Sequence, residues 1–593
     1  MTEIILSIVR AIFVVMFGMN VAVIMTWVDR RQGAMIQDRV GPDRAVIWLP
    51  TSLARPLALL PALAAAAGVM ALAFIDKQAR GDAPVSMARA ILFSQLAVFM
   101  TWATLAAMTA HVRRRGAESS LDHAIASLGP ARQLSTIGVL TQVALLVAMS
   151  LVSRSPLGDV VAGAAYGGGV LLLAAAMLVG AAFAAISMKG ERVGLRLLGL
   201  LHPAADGLKT AFKEDIIPLG VDRLMYGLAP WLAFFPSLVV LAVIPFGDTL
   251  CFGTNASGGI DITALQMSVP ADGVCTTGAL KLQVADLNVG ILYFFAVAGT
   301  GIVGAALAGW ASDNKYSLLG GLRAASQMVS YEVTLGLTLI GAMMIYGSLQ
   351  VDDMVRWQRE HTWGIFAQPL AFVLFFTAAV AESKRIPFDI PEGESELVAG
   401  YFTEYCGMKF AMFMFSEYIA MVSAGAVMAA IFLGGWDLPF LARDGIHVVI
   451  GDTVLWTQEL AHPAVVALGF LGFVFKVLFM CWLQLSIRWT LPRFRYDQVM
   501  RLGWRVLLPL SLGNILVTGL LILVANGASE SFQRGLAVAA DLTRAAVALG
   551  GLVALVALVR FLLSPPSHKR LVASTSARFA AAAGGTHNAQ MGA

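Results

Sequence analysis

Long apolar stretches alternate with short polar segments along most of the chain. About thirteen of these stretches approach or exceed 20 residues, the length that a helix needs to cross the roughly 30 Å hydrocarbon layer of a membrane. The pattern therefore predicts an all-α, polytopic membrane protein. The predicted spans lie near residues 4–27, 53–75, 90–111, 135–152, 160–187, 225–246, 288–310, 322–347, 369–386, 408–433, 464–487, 506–525 and 545–563.

The composition agrees with this class and excludes others. Of the 593 residues, 58% are hydrophobic and only 13% are charged, and the formal net charge is +4. The basic residues stand in short loops between spans, so we expect no nucleic-acid partner. The four cysteines, Cys251, Cys275, Cys406 and Cys481, form no CxxC or Cys/His cluster. The sequence therefore predicts no metal or iron–sulfur site on this chain.

The distribution of basic residues predicts the orientation in the membrane. No small-residue cleavage site follows the first apolar stretch, and the basic residues come after it, so we expect an uncleaved span. Because Lys and Arg are enriched in cytoplasmic loops, residues 29–44 are expected inside the cell and the N-terminus outside. An odd number of spans then places the C-terminus in the cytoplasm.

The chain divides into five segments of different character. Residues 1–49 contain the first span and a polar loop, and residues 50–195 contain about four spans that are rich in Ala and Leu. Residues 196–526 carry most of the polar motifs, and residues 527–563 add one further span. The small, polar and basic tail 564–593 is expected to be disordered. For residues 50–195 the residues alone indicate packing helices in lipid.

Residues 199–218 (GLLHPAADGLKTAFKEDIIP) are too polar to span a membrane. Apolar residues recur there at helical spacing, which predicts an amphipathic helix lying along the membrane interface. The pattern alone is equally consistent with a simple interfacial anchor.

A dense acidic segment lies between the spans at 369–386 and 408–433. Two prolines, Pro387 and Pro391, predict an irregular loop. Carboxylates at membrane depth indicate a functional site, although an ordinary solvated loop is the alternative. The carboxylates of this segment are Glu382, Asp389, Glu392, Glu394, Glu396 and Glu404.

Three further charges lie inside predicted spans: Glu332, Glu417 and Lys476. A lone charge at that depth costs on the order of 3 kcal/mol, so each should be paired, neutralised or facing water. Lys476 is a candidate partner for a carboxylate, whereas a structural hydrogen bond is the alternative for Glu332. Two cysteines, Cys251 and Cys275, share one exported loop, where a disulfide and two free thiols are both open.

Five segments together resemble one family, the quinone-site membrane subunit of respiratory complex I, known as the H subunit in bacteria and as subunit 1 in mitochondria. They are DRRQGAMIQDRVGPDR, GLLHPAADGLKTAFKEDIIP, GWASDNKYSLLGGLRAASQMVSYE, ESKRIPFDIPEGESELVAGYFTEY and LPRFRYDQVMRLGWRVLLPLSLGNILVTG. The resemblance covers roughly residues 1–46 and 196–526. It implies a core of eight spans, with about four inserted spans and one C-terminal span outside it. Asp29 stands where the family is expected to have Glu, and Ala34 where it is expected to have Gly.

The resemblance implies a tunnel that admits a quinone from the lipid, and a row of buried carboxylates that couples quinone reduction to proton translocation. The tunnel residues it implies are Asp29, Arg30, Gln37, Phe212, Lys213, Arg385, Phe388 and Asp389. The proton-coupling residues it implies are Glu332, Glu382, Glu392, Glu394, Glu396, Glu404 and Glu417.

The resemblance also implies partners and a location. The substrate is a quinone, either ubiquinone or menaquinone, and the FMN and iron–sulfur clusters lie on partner subunits. Those partners are soluble iron–sulfur and quinone-site subunits, together with small and antiporter-like membrane subunits. The implied location is the bacterial inner membrane, and the implied enzyme is a proton-translocating NADH:quinone oxidoreductase.

Three alternative functions remain at this point. The first is the equivalent subunit of a membrane-bound hydrogenase or another quinone-reducing complex that does not use NADH. The second is a stand-alone ion transporter, which the interfacial helix and the absence of a visible repeat disfavour. The third is a structural anchor for soluble subunits, which would not need charges within the spans.

Overall fold

The computed structural model of the protein describes most of the chain. The described residues are 2–37, 41–42, 45–80, 85, 87–115, 120–129, 131–152, 158–188, 192–195, 199–254, 260–266, 269, 275, 278–391, 393, 398–450, 453–527 and 529–563. Helices dominate this part of the chain, so the predicted all-α class is confirmed. The predicted site residues Glu392, Glu394 and Glu396 and the predicted disordered tail lie outside the described residues.

Helices follow one another through the described residues with few interruptions. Helices α1 to α18 cover, in order, Thr2–Ile36, Thr51–Arg80, Met87–Arg115, Ser120–Ser127, Ala131–Val152, Gly158–Ser187, Leu201–Ala211, Arg223–Val239, Gly290–Ala311, Lys315–Tyr346, Val351–Glu360, Gly364–Ala367, Pro369–Glu382, Gly407–Phe432, His462–Thr490, Tyr496–Arg501, Leu508–Asn526 and Glu530–Leu563. A π-helical segment, Leu502–Leu507, joins α16 to α17, and 3-10 turns lie at Val240–Val243 and Gly400–Phe402.

Ten helices in the described part of the chain are long and apolar enough to cross a membrane. The segment Thr136–Met149 of α5 and the whole of α13 are apolar but shorter. Each of the predicted spans coincides with a helix, and the last one forms the second half of α18. Helix α10 begins at Lys315, earlier than predicted, which places Glu332 near its middle.

The chain forms two compact units, residues 1–48 with 194–550 and residues 49–193 with 551–593. In the second unit, α6 packs against α2 and α3, and α3 also packs against α5. The close approach of α6 to α3 depends on Gly169. A Cβ atom there would lie 2.9 Å from the backbone nitrogen of Ser94.

Helix α14 is the most enclosed helix of the first unit, where it packs against α1, α8 and α15. Its second half is a run of small and apolar residues that are fully buried, including Ala426 and Ala429. Small residues let neighbouring helices approach closely in a membrane. At Gly425, a Cβ atom would lie only 3.3 Å from the sulfur of Cys481 on α15.

Eight short strands, β1 to β8, complete the described structure. Strand β3 pairs antiparallel with β4 and β5, and β7 pairs antiparallel with β6 and β8, so that Val448 lies opposite Trp456. The strands cover, in order, Ile47–Pro50, Arg192–Leu195, Leu250–Thr254, Ile260–Leu265, Ala279–Leu280, Leu441–Ala442, Gly445–Ile450 and Thr453–Glu459.

A disulfide joins Cys251 to Cys275, with 5.4 Å between their Cα atoms. Of the two alternatives for these cysteines, the disulfide is therefore confirmed and the pair of free thiols is not. Helix α1 reaches the same loop, because Arg10 donates to the carbonyl oxygens of Lys281 and Gln283, at 3.3 Å each. From Arg10 to Asp29 the helix rises by roughly 28 Å. The disulfide loop and Asp29 therefore lie at opposite ends of the bundle.

Lys476 of α15 stabilises the end of α14. Its ammonium group donates to the carbonyl oxygens of Gly435 and Asp437, at 2.9 and 2.5 Å, and lies 4.3 Å from the ring centroid of Trp363. A cation is favourable at the C-terminal end of a helix. The carboxylate that interacts with Lys476 is that of Asp437, which follows α14. The charge of Lys476 is therefore balanced without a carboxylate from within a span.

Candidate functional site

A cavity of about 900 Å³ lies at the end of the first unit that contains Asp29. Helices α1, α7, α14 and α15 contribute to its wall together with the segments around residues 384–389 and 398–402. Cavities of roughly 300–1,000 Å³ hold organic ligands in proteins. The lining residues are Asp29, Arg30, Gly33, Ala34, Gly41, Pro42, His202, Lys384, Arg385, Ile386, Asp389, Val398, Ala399, Phe402, Phe410, Met414, Glu417, Tyr418, Arg488 and Trp489.

Asp29, in the second half of α1, is 5% exposed and receives hydrogen bonds from three side chains. The Tyr418 hydroxyl donates to its Oδ2 atom at 3.0 Å, and the Trp489 indole Nε1 donates to its Oδ1 atom at 2.9 Å. The Arg488 guanidinium also donates to Oδ2. A buried carboxylate is tolerated when it is paired and hydrogen-bonded in this way. Asp29 therefore contributes a fixed negative charge to the cavity wall.

Arg385 follows α13 and supplies a fixed positive charge beside Asp29. Its guanidinium lies 3.8 Å from the ring centroid of Tyr418, with Nη1 4.0 Å from Asp29 Oδ2 and Nε 3.6 Å from Glu417 Oε2. Burial alone would lower the pKa of Arg385, but Tyr418, Glu417 and Asp29 together hold this pKa above its ordinary value. The guanidinium therefore remains cationic in the cavity wall.

Asp389 and Phe388 occupy different positions although they are adjacent. Asp389 lines the cavity and accepts a hydrogen bond from Arg493 at 2.7 Å. Phe388 points into the protein, where its ring packs against Tyr331 and Phe494 with centroid separations of 6.0 and 5.3 Å. Asp389 therefore contributes charge to the cavity, and Phe388 supports its wall.

The segment after α13 is irregular between residues 383 and 391, as its prolines predicted. Hydrogen bonds give it a defined shape. The Gln327 amide donates to the carbonyl oxygens of Ala381 and Phe388, at 2.7 and 2.8 Å, and the Phe494 backbone nitrogen donates to Pro387 at 3.1 Å. The side chains that follow α13 are therefore held in place by α10 and by the segment after α15.

A second cavity, of about 70 Å³, lies within the helix bundle. Glu382 lines it, and both Lys384 and Glu417 line this cavity and the large one. The Lys384 ammonium donates to the Tyr401 hydroxyl at 2.9 Å, and that hydroxyl donates to Glu417 Oε1 at 3.4 Å. We refer to Lys384, Tyr401 and Glu417 as the partition between the two cavities.

A third cavity, of about 440 Å³, lies between α1, α7 and α14. It shares Arg30, Phe410, Met414 and Tyr418 with the 900 Å³ cavity, so the two adjoin. Lys213 also lines it, as does Cys406, a free cysteine that is only partly buried. We refer to it as the side cavity.

The remaining predicted tunnel residues differ in their surroundings. Arg30 lines both the 900 Å³ cavity and the side cavity and forms an ion pair with Asp206 of α7 at 2.5 Å. Gln37, just after α1, and Phe212, just after α7, line none of the three cavities, and Phe212 is 86% exposed.

The two remaining predicted carboxylates among the described residues are Glu332, in α10, and Glu404, in the turn before α14. Glu332 of α10 lies against α9 at Gly299, where a Cβ atom would come within 2.7 Å of Glu332 Oε1. Glu404 accepts a hydrogen bond from the Asn314 amide at 2.7 Å, just before α10 begins. Glu332 is within electrostatic range of Glu382, whereas Glu404 helps to hold the start of α10.

Sequence reasoning did not select five residues of this site: Lys384, Tyr401, Tyr418, Arg488 and Trp489. Arg488 was visible as part of a basic cluster after the span at 464–487, but a membrane anchor explained that cluster equally well. Tyr401, Tyr418 and Trp489 resemble ordinary interfacial or core aromatics in sequence. Only their contacts with charged groups distinguish them.

A sequence model of the family described as NADH dehydrogenase matches residues 168–519, which is more than half of the chain. The chain belongs to the family of NADH-quinone oxidoreductase H subunits. It is 43% identical over 324 residues to NADH-quinone oxidoreductase H subunit 1 of Geobacter sulfurreducens, covering 55% of this chain and 82% of that relative. It is 45% identical over 340 residues to the H subunit of Thermomicrobium roseum, covering 56% and 85% respectively. With H subunit 1 of Geobacter metallireducens it shares 42% identity over 358 residues, covering 60% and 94%.

Membership of this H-subunit family agrees with the resemblance drawn from five segments of the sequence. The matched residues 168–519 contain α7, α14, α15 and the segments around residues 384–389 and 398–402, which together form most of the cavity wall. They do not include α1, which supplies Asp29 and Arg30. In the described residues, no group of three His, Cys, Asp or Glu side chains is arranged to hold a metal ion.

Proposed function

We propose that this chain is the membrane subunit of a proton-translocating NADH-quinone oxidoreductase and that its 900 Å³ cavity receives the quinone. The observation that carries the proposal is the combination of two adjoining cavities. One has fixed charges in its wall, and the other lies beside an interfacial helix. A quinone has the matching shape, with a polar head and a long apolar tail.

The polar head fits the wall formed by Asp29, Arg385 and Arg488. Buried cations are strong hydrogen-bond donors to oxygen, and they stabilise negative charge as it develops on a ligand. The acidic neighbours hold Arg385 and Arg488 in fixed positions. A quinone carbonyl oxygen that gains charge on reduction would be stabilised there without rearrangement of the protein.

The apolar tail fits the side cavity, whose wall includes Val23, Phe410, Ala411 and Phe415. Helix α7 forms the other side of this cavity and exposes apolar side chains, among them Leu208 at 60%. An amphipathic helix of this kind lies in the membrane interface. The side cavity would then connect the lipid phase with the polar cavity.

The complete reaction needs partner subunits. Reduction of one quinone to quinol consumes two electrons and two protons, and the electrons would come from NADH through FMN and iron–sulfur clusters on soluble subunits that dock at this end of the bundle. Small and antiporter-like membrane subunits would complete the membrane domain. Either ubiquinone or menaquinone fits the cavity chemistry described above.

Coupling to proton translocation is assigned to the buried carboxylates. Three of these carboxylates lie near the 70 Å³ cavity. Glu382 and Glu417 line it, and Glu332 belongs to α10, which also contributes to its wall. Neighbouring carboxylates in a poorly hydrated site do not all ionise together, so they share protons. Negative charge on a quinone in the large cavity would change how these protons are distributed, and the acidic residues Glu392, Glu394 and Glu396 would take part.

The proposed setting is the inner membrane of a bacterium, with the N-terminus outside and the C-terminus in the cytoplasm. Residues 1–49 and 196–526 would form the family core with the acidic loop and the interfacial helix. Residues 50–195 would form an inserted membrane block, residues 527–563 an additional span, and residues 564–593 a cytoplasmic tail.

Cys406 provides a direct test, because it is a partly buried free thiol in the wall of the side cavity, whereas Cys481 is fully buried. In membranes that contain the assembled complex, a maleimide should label Cys406. A soluble ubiquinone or menaquinone analogue should slow this labelling in proportion to its occupancy. The matched control is C406S, in which labelling of native membranes should be lost.

Labelling of Cys406 at an unchanged rate with saturating quinone would contradict the proposal. Quinone protection together with NADH-driven quinone reduction would support it in full. Quinone protection in a complex that reduces quinone with hydrogen or another donor, but not with NADH, would instead assign the chain to a related quinone-reducing complex.

A further inference from the structure

The partition between the large and the small cavity contains a positive charge. Lys384 is only 8% exposed, and its ammonium group lies 2.9 Å from the Tyr401 hydroxyl oxygen and 5.1 Å from the Tyr401 ring centroid. The same hydroxyl donates to Glu417. One side chain therefore places a cation between the candidate quinone cavity and the small cavity that Glu382 lines.

The backbone at Lys384 is also unusual. Its φ angle is +54°, in the left-handed region that residues with long side chains seldom adopt, whereas Asn is several-fold enriched there. Strained backbone conformations persist mainly where surrounding contacts hold them, and they cluster at functional sites. Two unfavourable features, a buried ammonium group and a left-handed backbone, thus coincide at one residue that separates two cavities.

The charge of Lys384 reaches the carboxylates on the inner side of the partition. Glu382 is within electrostatic range of Lys384, and it is also repelled by Glu332. Glu417 is connected to Lys384 through the Tyr401 hydroxyl. A nearby ammonium group favours the ionised form of a carboxylate and opposes the approach of a further proton. While the ammonium group is near these carboxylates, proton transfer across the partition is therefore disfavoured.

We propose that Lys384 is a positioning residue that controls proton movement between the two cavities. This inference rests on the proposed function. With an oxidised quinone, the ammonium group stays on Tyr401. When two electrons enter the quinone, negative charge in the large cavity attracts the ammonium group and weakens its bond to Tyr401. Glu382 then accepts a proton more readily. Uptake of two protons by the reduced quinone removes the negative charge, and the ammonium group returns to Tyr401.

The test uses the assembled complex in sealed vesicles, with quinone reduction and proton translocation measured in the same preparation. K384N removes the charge and keeps a residue suited to the left-handed backbone, whereas K384R keeps the charge. Y401F removes a single hydroxyl oxygen. The matched control is K409N, because Lys409 is paired with Asp215 and lines none of the three cavities.

We expect K384N to translocate several-fold fewer protons per electron than the wild-type complex, whatever its own rate of quinone reduction. K384R should restore most of the ratio, Y401F should lie between, and K409N should match the wild type. A purely structural role for Lys384 would lower both activities together and leave their ratio unchanged, which would overturn the proposal. If K384N does not assemble, Y401F provides the test: a lowered number of protons translocated per electron would support the proposal, and an unchanged number would overturn it.

Failure of this inference can be separated from failure of the proposed function. Quinone protection of Cys406 in the wild-type vesicles reports on quinone binding alone. Protection together with an unchanged proton-to-electron ratio in K384N and Y401F would reject only the role of Lys384. Absence of protection in the wild type would reject the proposed function itself.

Discussion

The Tyr418 hydroxyl donates a hydrogen bond to Asp29 at 3.0 Å, although the two residues are 389 positions apart in the chain. Tyr418 lies in the central helix α14, and Asp29 lies in the second half of α1. The guanidinium of Arg385 stacks on the Tyr418 ring and so connects both residues to the segment after α13. The charged wall of the cavity is therefore assembled from distant parts of the sequence, and it should respond as a unit to single substitutions.

The first prediction concerns Asp29. D29N removes the charge that pairs with Arg488 and Arg385, and breaking a buried ion pair typically costs about 3–5 kcal/mol. We expect the variant complex to lose most of its quinone reductase activity, with a raised KM for quinone if it assembles. D29E keeps the charge and should retain much more activity. Steady-state kinetics with a short-chain quinone provide the measurement.

The control for this experiment is D497N, which removes an exposed carboxylate at the start of α16. Its kinetics should match the wild type. If D29N behaved like D497N, the assignment of Asp29 to the quinone cavity would be wrong.

The second prediction concerns acid stability at the opposite end of the bundle. Asp248 is buried and accepts hydrogen bonds from Arg443 at 2.8 and 2.9 Å, with Arg359 at 3.4 Å. Burial alone would raise the pKa of Asp248, but Arg443, Thr249 and Arg359 lower it below its ordinary value of 3.8. The folded-state pKa thus lies below the unfolded-state pKa. The stabilisation is therefore complete above about pH 4 and is lost as the pH falls through the lowered value.

D248N should remove this pH-dependent contribution and destabilise the protein at neutral pH by about 3–5 kcal/mol. The buried thiol of Cys481 can report unfolding in a C406S background, by alkylation after heating at each pH and return to neutral pH. The control D286N breaks the more exposed pair with Lys281, which should contribute at most about 1 kcal/mol. If D248N and D286N unfolded at the same temperature at neutral pH, the predicted contribution of Asp248 to stability would be contradicted.

The third prediction concerns the disulfide. Cys251 and Cys275 are 24 positions apart, and closing a loop of this length stabilises a fold by about 3 kcal/mol. Mass spectrometry after alkylation should detect modification of these two cysteines only after reduction. The double variant C251S/C275S should unfold at a lower temperature than the wild type. Alkylation of both thiols without a reductant would show that the bond is absent.

The fourth prediction compares two glycines of the same helix. At Gly320 of α10, a Cβ atom would lie 2.7 Å from the Tyr401 backbone nitrogen, whereas at Gly336 it would meet no atom within 4 Å. G320A should destabilise the protein by about 1–3 kcal/mol, because backbone atoms have to move. It should also disturb the partition, since Tyr401 belongs to the displaced turn. The temperature of Cys481 exposure and the proton-to-electron ratio measure the two effects.

G336A supplies the control, because Ala is favoured over Gly in a helix interior by up to about 1 kcal/mol. It should leave both measurements unchanged or raise the unfolding temperature slightly. A similar loss of stability in both variants would show that the close approach at Gly320 is not needed.

The sequence by itself determined the membrane class, the irregular segment after α13 and the approximate positions of the ten described helices that are long and apolar enough to cross a membrane. These features depend on local properties, namely the length of apolar runs and the backbone limits of proline. The family resemblance implied Asp29, Arg385 and Asp389 as tunnel residues and Glu417 as a proton-coupling residue, and all four line the large cavity. It left the pairing of Cys251 with Cys275 open, because thiol spacing does not reveal distance in the fold.

Only the tertiary structure decided which charges meet. Apolar periodicity shows that a helix is buried, but it does not show which helix it will contact or at what height. The contacts of Asp29 with Tyr418 and Trp489, and of Lys384 with Tyr401, therefore had no local signal in the sequence. The contacts of Asp29 arise because the packing of α1, α14 and α15 brings the ends of distant spans to one place, where buried charges are stabilised by the partners that they find there.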